Sequence, residues 1–332
     1  MPSSLNLHHL RAFAVVVRLG GVGVAARALE VTQPAISRTI RELEAQVGLR
    51  LLERNAEGIV PTDAGRELYE YAQAIVASER AAIEAMSAVR GLERGTIHIG
   101  ASTTIATYVL PPLIGVFMRE HPAIQVRLSA VHTRRLLPMV KDDEVDIALA
   151  EAPVVDPGVI VARWMMDEMV VIAAPTHPLA RRAGATRTVK PHDLDEELLI
   201  LREPESGTRD IVLRGLTAAN VVPTRTMAVE ATEVIKQLVA EGVGIGVVSC
   251  DTIADMLALS RLVVLRIEGA SITRPFNRLS APRRRPSAAA RAFLRLLAEE
   301  AVRRESLRAT GTPPPISGRA SRSRHGRAPK AD

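Results

Sequence analysis

Apolar residues change their period near Gly95, and that change divides the chain. Before it the spacing is helical. Leu10, Phe13, Ala14 and Val17 fall at i, i+3, i+4 and i+7, one apolar face of a helix that Gly20-Gly21 breaks. Gly21 can cap a second short helix running to about Leu29. After the tight connection Glu30-Val31-Thr32, Thr32 is a candidate N-cap and Gln33-Pro34 open a third helix. Proline costs little there, because its missing N–H would be unpaired anyway. Ile36, Ile40, Leu43 and Val47 form that helix's apolar face, and Gly48 ends it. Leu51 to Arg54 and Ile59 to Pro61 read as a small hairpin turning through Asn55-Ala56-Glu57-Gly58. Thr62-Asp63 then caps a proline-free, alanine-rich helix to about Val89, striped by Leu68, Ala72, Ile75, Ala82, Ile83, Met86 and Val89. A stripe of that kind is buried, either within the chain or against a second copy.

From Gly95 onward, short apolar runs alternate with helical stretches: Thr96–Ala101, Val126–Val131, Asp146–Ala150, Met169–Ala174, Leu198–Leu201, Thr226–Val229, Gly244–Val248 and Val263–Ile267. Strands alternating with helices argue for α/β units with largely parallel sheets. The segment is longer than one small sheet needs, so two lobes are expected. The fold class is therefore α/β with an all-α N-terminal part. Residues 306–332 are Pro, Gly, Ser and Arg with almost nothing apolar, and are expected to be disordered.

Composition narrows the function. With 332 residues, 47% of them apolar, the chain can bury two or three cores. No apolar run reaches the ~18 residues of a membrane span, and no charged-then-apolar leader opens it, so neither a membrane protein nor Sec-type export is expected. The net charge of +6 sits mostly in the tail, where Arg308, Arg319, Arg322, Arg324, Arg327 and Lys330 face only Asp332. Non-specific DNA contact by that tail is a minority reading beside a solvated end. Cys250 is the single cysteine; it fits a reducing cytosol and reads as a small buried hydrophobe.

Residues 22–47 have helix-turn-helix geometry. Opposite the apolar face of the second helix lie Pro34, Arg38, Arg41 and Ala45, flanked by Ser37. Arg can donate two bonds to guanine, Ser can serve a base edge or phosphate, and Pro or Ala can touch a thymine methyl. A solvated face on a small bundle is the plainer alternative.

Ser102-Thr103-Thr104 follow one strand and precede a helical stretch reaching about Arg119; Ser206-Gly207-Thr208-Arg209 repeat that arrangement after another. Hydroxyls and free N–H groups at a strand-to-helix junction suit an anion. Either alone is an ordinary N-cap, whereas the pair could face each other across a cleft at the carboxyl ends of the strands. Gly242-Val243-Gly244-Ile245-Gly246 lacks nucleotide-loop spacing and lies between a helix and a strand, so a helix stop is expected. No catalytic constellation, metal-ligand spacing among the histidines, or cofactor motif is legible.

At the helix-turn-helix the sequence becomes specific. Ala25-Ala26-Arg27-Ala28-Leu29, Val31-Thr32-Gln33-Pro34-Ala35-Ile36-Ser37-Arg38, Leu43-Glu44, Leu52-Glu53-Arg54 and Thr62-x-Ala64-Gly65 closely resemble the LysR-type transcriptional regulators, over about Leu5 to Leu297. The resemblance implies a winged helix-turn-helix over 1–62, a linker and dimerisation helix over 63–92, and a periplasmic-binding-protein-like effector domain over 93–305. Its lobe I would take about 93–165 and 269–305, and its lobe II about 166–268. It places Thr32, Gln33, Pro34, Ser37 and Arg38 at the DNA, with Arg54 on the wing. The effector would sit at Ser102, Thr103 and Thr104, near Glu151, and at Ser206, Gly207, Thr208 and Arg209.

Gly100-Ala101-Ser102-Thr103-Thr104-Ile105, Leu201–Arg209 and Thr273-Arg274-Pro275-Phe276 look like one branch, which includes regulators of sulfite and cysteine metabolism and lies near the Calvin-cycle regulators. Glu57 in place of a basic wing residue, Leu52 in place of Phe, and Gly21-Val22-Gly23 in place of Ser-Phe-Ser depart from the family pattern and weaken the expected phosphate contacts.

The expectation is a cytoplasmic regulator, not an enzyme, without a cofactor. It would bind double-stranded promoter DNA as a dimer through 63–92 and, beyond that, a tetramer, with RNA polymerase as a further partner and no membrane. Its effector would be a small anion, linked to sulfur metabolism, with a phosphorylated carbon metabolite as the alternative. A transport solute-binding protein would have no use for residues 5–90, and an α/β enzyme would need a catalytic constellation.

Overall fold

The computed structural model of the chain describes residues 4–55, 58–89, 95–151, 153–282 and 286–309. Helix α1 (Leu7–Leu19) starts at Asn6, whose side chain accepts the His8 N–H, and stops at Gly20 in the left-handed region. Helix α2 (Val22–Ala28) follows, with Gly21 as its extended N-cap. Helix α3 (Gln33–Val47) begins after Thr32 with proline in its first turn and ends at the left-handed Gly48. Leu10, Phe13, Val16, Ala25, Ile36, Ile40 and Leu43 form one core with Leu51 and Ala72. Val47, expected on the buried face, is only half-buried because it lies in the last turn. Strands β1 (Leu52–Asn55) and β2 (Gly58–Pro61) pair antiparallel as a wing. The hairpin tip at 56–57, including Glu57, lies outside the described residues.

Helix α4 (Asp63–Val89) leads away from this core. Its start is tightly determined: Thr62 Oγ1 donates to the Arg50 carbonyl (2.8 Å) and accepts the Gly65 N–H (3.0 Å). A Cβ on Gly65 would collide with the Leu51 carbonyl oxygen, which explains the glycine in Thr62-x-Ala64-Gly65.

Beyond it come β3 (Gly95–Ala101), α5 (Leu110–Glu120), β4 (Ile124–Ala130), α6 (Thr133–Lys141), β5 (Ile147–Ala150) and β6 (Ile160–Ala173). Next are α7 (Pro178–Ala183), β7 (Thr188–Val189), β8 (Leu198–Arg202), α8 (Gly207–Ala218), β9 (Arg225–Val229), α9 (Thr232–Ala240) and β10 (Ile245–Ser249). The chain closes with α10 (Ala254–Ala258), β11 (Val263–Ile267), β12 (Ile272–Ser280) and α11 (Ala288–Ala309). Each lobe has parallel pairings at its centre, β4-β3-β5 in one and β9-β8-β10 in the other.

What joins the lobes is a feature the apolar pattern misses. β6 runs for 14 residues, and β12 pairs with it antiparallel from Ile160↔Ser280 to Met169↔Ile272. β12 continues into β5 on one side, and β6 into β10 and β11 on the other, so both lobes share a single 10-stranded sheet. The first half of β6 and all of β12 escape detection because they carry Arg163, Asp167, Glu168, Arg274 and Pro275, which read as loop or surface.

Two further differences concern helices. Between Thr104 and Leu110 the backbone forms a π-helical turn, Ile105–Val109, before α5 proper. Residues 306–309, expected to be disordered, instead complete α11, where the Arg308 guanidinium donates to the Met166 carbonyl (2.6 Å). Tail residues 310–332 and the linker end 90–92 lie outside the described residues. Among those described, no single helix is long and apolar enough to cross a membrane.

Candidate functional site

The N-terminal face comes first. Ile36, Ile40 and Leu43 anchor α3 in the core, which turns Thr32, Gln33, Pro34, Arg38 and Arg41 to the solvent, with Ser37 half-buried. The Arg38 Nε donates to Glu42 one turn on (3.0 Å), and the Arg41 Nε to the Ser37 carbonyl (3.2 Å). The Arg38–Glu42 pair is well exposed, so it holds Arg38 only weakly and leaves it available to another acceptor. Arg54 lies exposed on β1. The wing is fastened to α3 by Glu44, whose Oε1 accepts the Leu51 N–H (2.8 Å) and the Leu52 N–H (3.3 Å). Its other strand is tied to α1 through Ile59 N–H donating to Gly20 O (3.0 Å). Gly58, at φ 136°, has no room for a Cβ against that same carbonyl.

The second site lies where the two lobes meet. Ser102 and Thr104 follow the end of β3 and are buried, while Thr103 between them is exposed. The Ser102 N–H donates to Leu149 O (2.9 Å), which sets it beside the end of β5 and hence beside Glu151. From lobe II, Ser206 caps α8, Gly207 opens it, and Thr208 donates to Glu151 Oε1 at 3.4 Å. The two hydroxyl-rich junctions are thus brought together through Glu151, at the carboxyl ends of β3, β5 and β8. Arg209 is engaged differently: its guanidinium donates to the Arg202 carbonyl (2.9 Å). Arg202 in turn clamps Glu203 through two bonds (2.8 and 2.9 Å). Burial pushes the Glu203 carboxyl up, but the Arg202 hydrogen bonds outweigh it and hold the group below the ordinary carboxylate range.

Beneath this junction lies a buried cluster to which sequence reasoning assigns no role. Arg274 on β12 is only 1% exposed. It donates from Nε to Asp167 Oδ2 (2.7 Å) and from one terminal nitrogen to Thr208 Oγ1 (2.9 Å). Its other terminal nitrogen lies 3.4 Å from Glu151 Oε2, and the guanidinium sits over the Phe276 ring at 5.3 Å. Asp167 also accepts from Ser249 Oγ (2.7 Å). Burial pushes the Asp167 carboxyl up to about 6; Arg274 opposes that rise, and the charge of Asp251 adds to it. The only signal for this cluster in the sequence is Thr273-Arg274-Pro275-Phe276, legible as a family marker but not as chemistry.

Two more contacts cross between the lobes. Tyr108, in the π-helical turn, donates to Glu233 of α9 (3.0 Å), and the fully buried Lys236 ammonium sits 5.1 Å from its ring. Arg304 of α11 donates to Asp251 (2.6 Å) just after β10. Among the described residues, no cluster of three or more His, Cys, Asp or Glu could hold a metal ion.

Residues 90–302 match the family described as LysR substrate binding domain, and residues 7–66 the bacterial regulatory helix-turn-helix protein, lysR family. The chain belongs to the LysR family of transcription regulators. It is 34% identical over 299 residues to a RuBisCO operon transcriptional regulator from Allochromatium vinosum, covering 90% of this chain and 97% of the relative. Among solved structures, a full-length OxyR variant from Pseudomonas aeruginosa covers 89% of this chain and 94% of its own, with TM-score 0.69 at 21% identity, which speaks for the fold. The regulatory domain of Synechocystis PCC6803 CcmR in complex with 2-PG is 27% identical, with TM-score 0.56, covering 63% of this chain and 98% of its own. These families are DNA-binding regulators rather than enzymes, and so is this chain.

Proposed function

We propose that this LysR regulator reads promoter DNA with the outer face of α3 and answers to a small anionic effector held between its lobes. On the DNA side the reading rests on Thr32, Gln33, Pro34, Ser37, Arg38 and Arg41, with Arg54 on a wing that Glu44 locks to α3. A helix of this shape suits a major groove, and the two arginines can each reach a guanine edge. Homodimerisation through 63–92 is supported by Ile75 and Met86, which stay exposed on α4. A tetramer built on that dimer and a cytoplasmic location complete the reading. RNA polymerase is a further partner of the DNA-bound assembly.

The observation that carries the effector assignment is the meeting of Thr208 from lobe II with Glu151 from lobe I over the buried Arg274. A ligand inserted there contacts both lobes and the strands that join them. It can therefore favour one lobe arrangement by its differential affinity. The link to sulfur metabolism gives way to the carbon alternative. Similarity to a RuBisCO operon regulator and to a CcmR domain holding 2-PG supports a phosphorylated carbon metabolite as the effector.

The test uses the full chain and the promoter adjoining its own gene. Wild type is expected to shift that promoter at low protein concentration, and Arg38→Ala to lose sequence preference while remaining dimeric in sedimentation. Unchanged operator affinity in Arg38→Ala sinks the α3 assignment. Adding a hydroxyl-bearing sugar bisphosphate is expected to change the footprint, and Thr208→Ala to blunt that change without altering basal binding.

A further inference from the structure

The charge of the cleft floor constrains its ligand further, on the reading that the effector sits between the lobes. Arg274 contributes one positive charge, whereas Glu151 and Asp167 contribute two negative ones, and all three are nine-tenths buried or more. Asp167 is saturated by Arg274 and Ser249. Glu151 is not. Its Oε1 accepts from Thr208, but Oε2 accepts no hydrogen bond. The facing Arg274 terminal nitrogen, at 3.4 Å, makes none either, and the buried Ser102 Oγ on the neighbouring strand is likewise without a partner. Glu151 Oε2 and that nitrogen hold each other only as a loose ion pair, and Ser102 Oγ has no hydrogen-bond partner, so the junction of the two lobes leaves hydrogen bonds for a ligand to supply.

We infer that the effector is an anion that also carries a hydrogen-bond donor, a hydroxyl or an ammonium, directed at Glu151 Oε2. Its anionic end belongs at the Ser102-Thr103-Thr104 and Ser206-Gly207-Thr208 junctions, where hydroxyls and the α8 N-terminus favour negative charge. Its donor end belongs at Glu151. A donor-free anion is disfavoured on two counts: it sets like charge against a buried carboxylate and leaves Oε2 with the 3.4 Å ion pair to Arg274 and no hydrogen bond. Glu151 is in this sense a specificity residue, selecting among anions by what else they carry.

The test is thermal stability and calorimetry of the full chain with a matched set. O-phosphoserine, 3-phosphoglycerate and 3-phosphooxypropanoate differ at one carbon by ammonium, hydroxyl or hydrogen, and sulfate is the bare anion. The donor-bearing members are expected to bind about ten- to hundred-fold more tightly than 3-phosphooxypropanoate, with sulfate weaker still. Which of the first two is preferred tells ammonium from hydroxyl. In Glu151→Gln that selectivity should collapse, with the affinity for sulfate unchanged or raised; a residue that only supports the fold would lower all affinities together. Equal binding of donor-bearing and donor-free members overturns the inference and leaves the cleft standing. Absence of any shift across the set overturns the cleft assignment itself. The wild-type comparison decides even where Glu151→Gln fails to fold.

Discussion

Replacing Arg274 by Met keeps roughly the length and apolar body of the side chain and removes its charge. The guanidinium is 1% exposed and compensates Asp167 at 2.7 Å and Glu151 at 3.4 Å. Its loss leaves two buried carboxylates without a cation. Breaking a buried pair from one side costs about 3–5 kcal/mol, and for a domain of this size each kcal/mol lowers Tm by about 2–4 °C, so a drop of roughly 6–20 °C is expected. The assay is built into the chain. Trp164 is the single tryptophan; its indole N–H donates to Leu297 O (2.7 Å) and its ring stacks on Phe276 at 6.5 Å. Its fluorescence therefore follows the effector domain inside the full-length protein. The double variant Arg274→Met/Asp167→Asn removes one stranded charge along with its partner, and is expected to regain part of the loss. A single variant within ~1 kcal/mol of wild type, or a double variant no better than the single, refutes the view that Arg274 balances the cluster.

Three further outcomes follow from the same geometry. Asp167 has a folded-state pKa of about 6 against 3.8 unfolded. The folded state therefore holds the proton more tightly, and stability is highest below pH ~4 on this account, falls as pH rises to ~6 and then levels. The fall is on the order of 2–3 kcal/mol; urea unfolding followed at Trp164 should show it in wild type and a flatter slope in Asp167→Asn. Gly65→Ala puts a methyl group against the Leu51 carbonyl, an overpacking cost of about 1–3 kcal/mol or more; operator binding in a gel shift should weaken while the Trp164 transition stays in place. Asp142, just after α6, accepts from Tyr69 (3.1 Å) and Gln73 (3.0 Å) of α4, while the other end of α6 starts after His132, whose charge acts on Glu203 next to Arg202. Asp142→Ala is expected to leave effector affinity within about two-fold while reducing the effector's influence on DNA binding; an intact response in footprinting would rule out this helix as the route.

Much of the DNA-binding half was legible because its determinants are local. The cap at Thr62, the first-turn Pro34, the stops at Gly20 and Gly48, and the spacing of Ile36, Ile40 and Leu43 each act within one or two turns. The roles of Glu44 and Gly65 were less accessible. Both serve contacts with Leu51, a residue brought near only by the turn of the wing. In the effector domain, Ser102 and Thr208 could be singled out from their strand-to-helix junctions, and Glu151 only through the family resemblance. The link of Thr208 and Glu151 to Arg274 could not, since that residue lies 66 positions from Thr208 in a strand whose Pro275 argues against a strand in the sequence.

By itself, then, the sequence determined the order of helices and strands, the helix-turn-helix and its exposed arginines, and the family of the chain, all through short-range periodicity, capping and motif. Only the tertiary structure decided that β6 and β12 join the lobes, that residues 306–309 extend the last helix, and that a buried charged cluster of Arg274, Asp167 and Glu151 lies where the lobes meet. The physical reason is that a charge enters the interior only when an opposite charge arrives from elsewhere in the chain. Asp167 and Arg274, read one at a time, belong on a surface; paired at 2.7 Å they make a core.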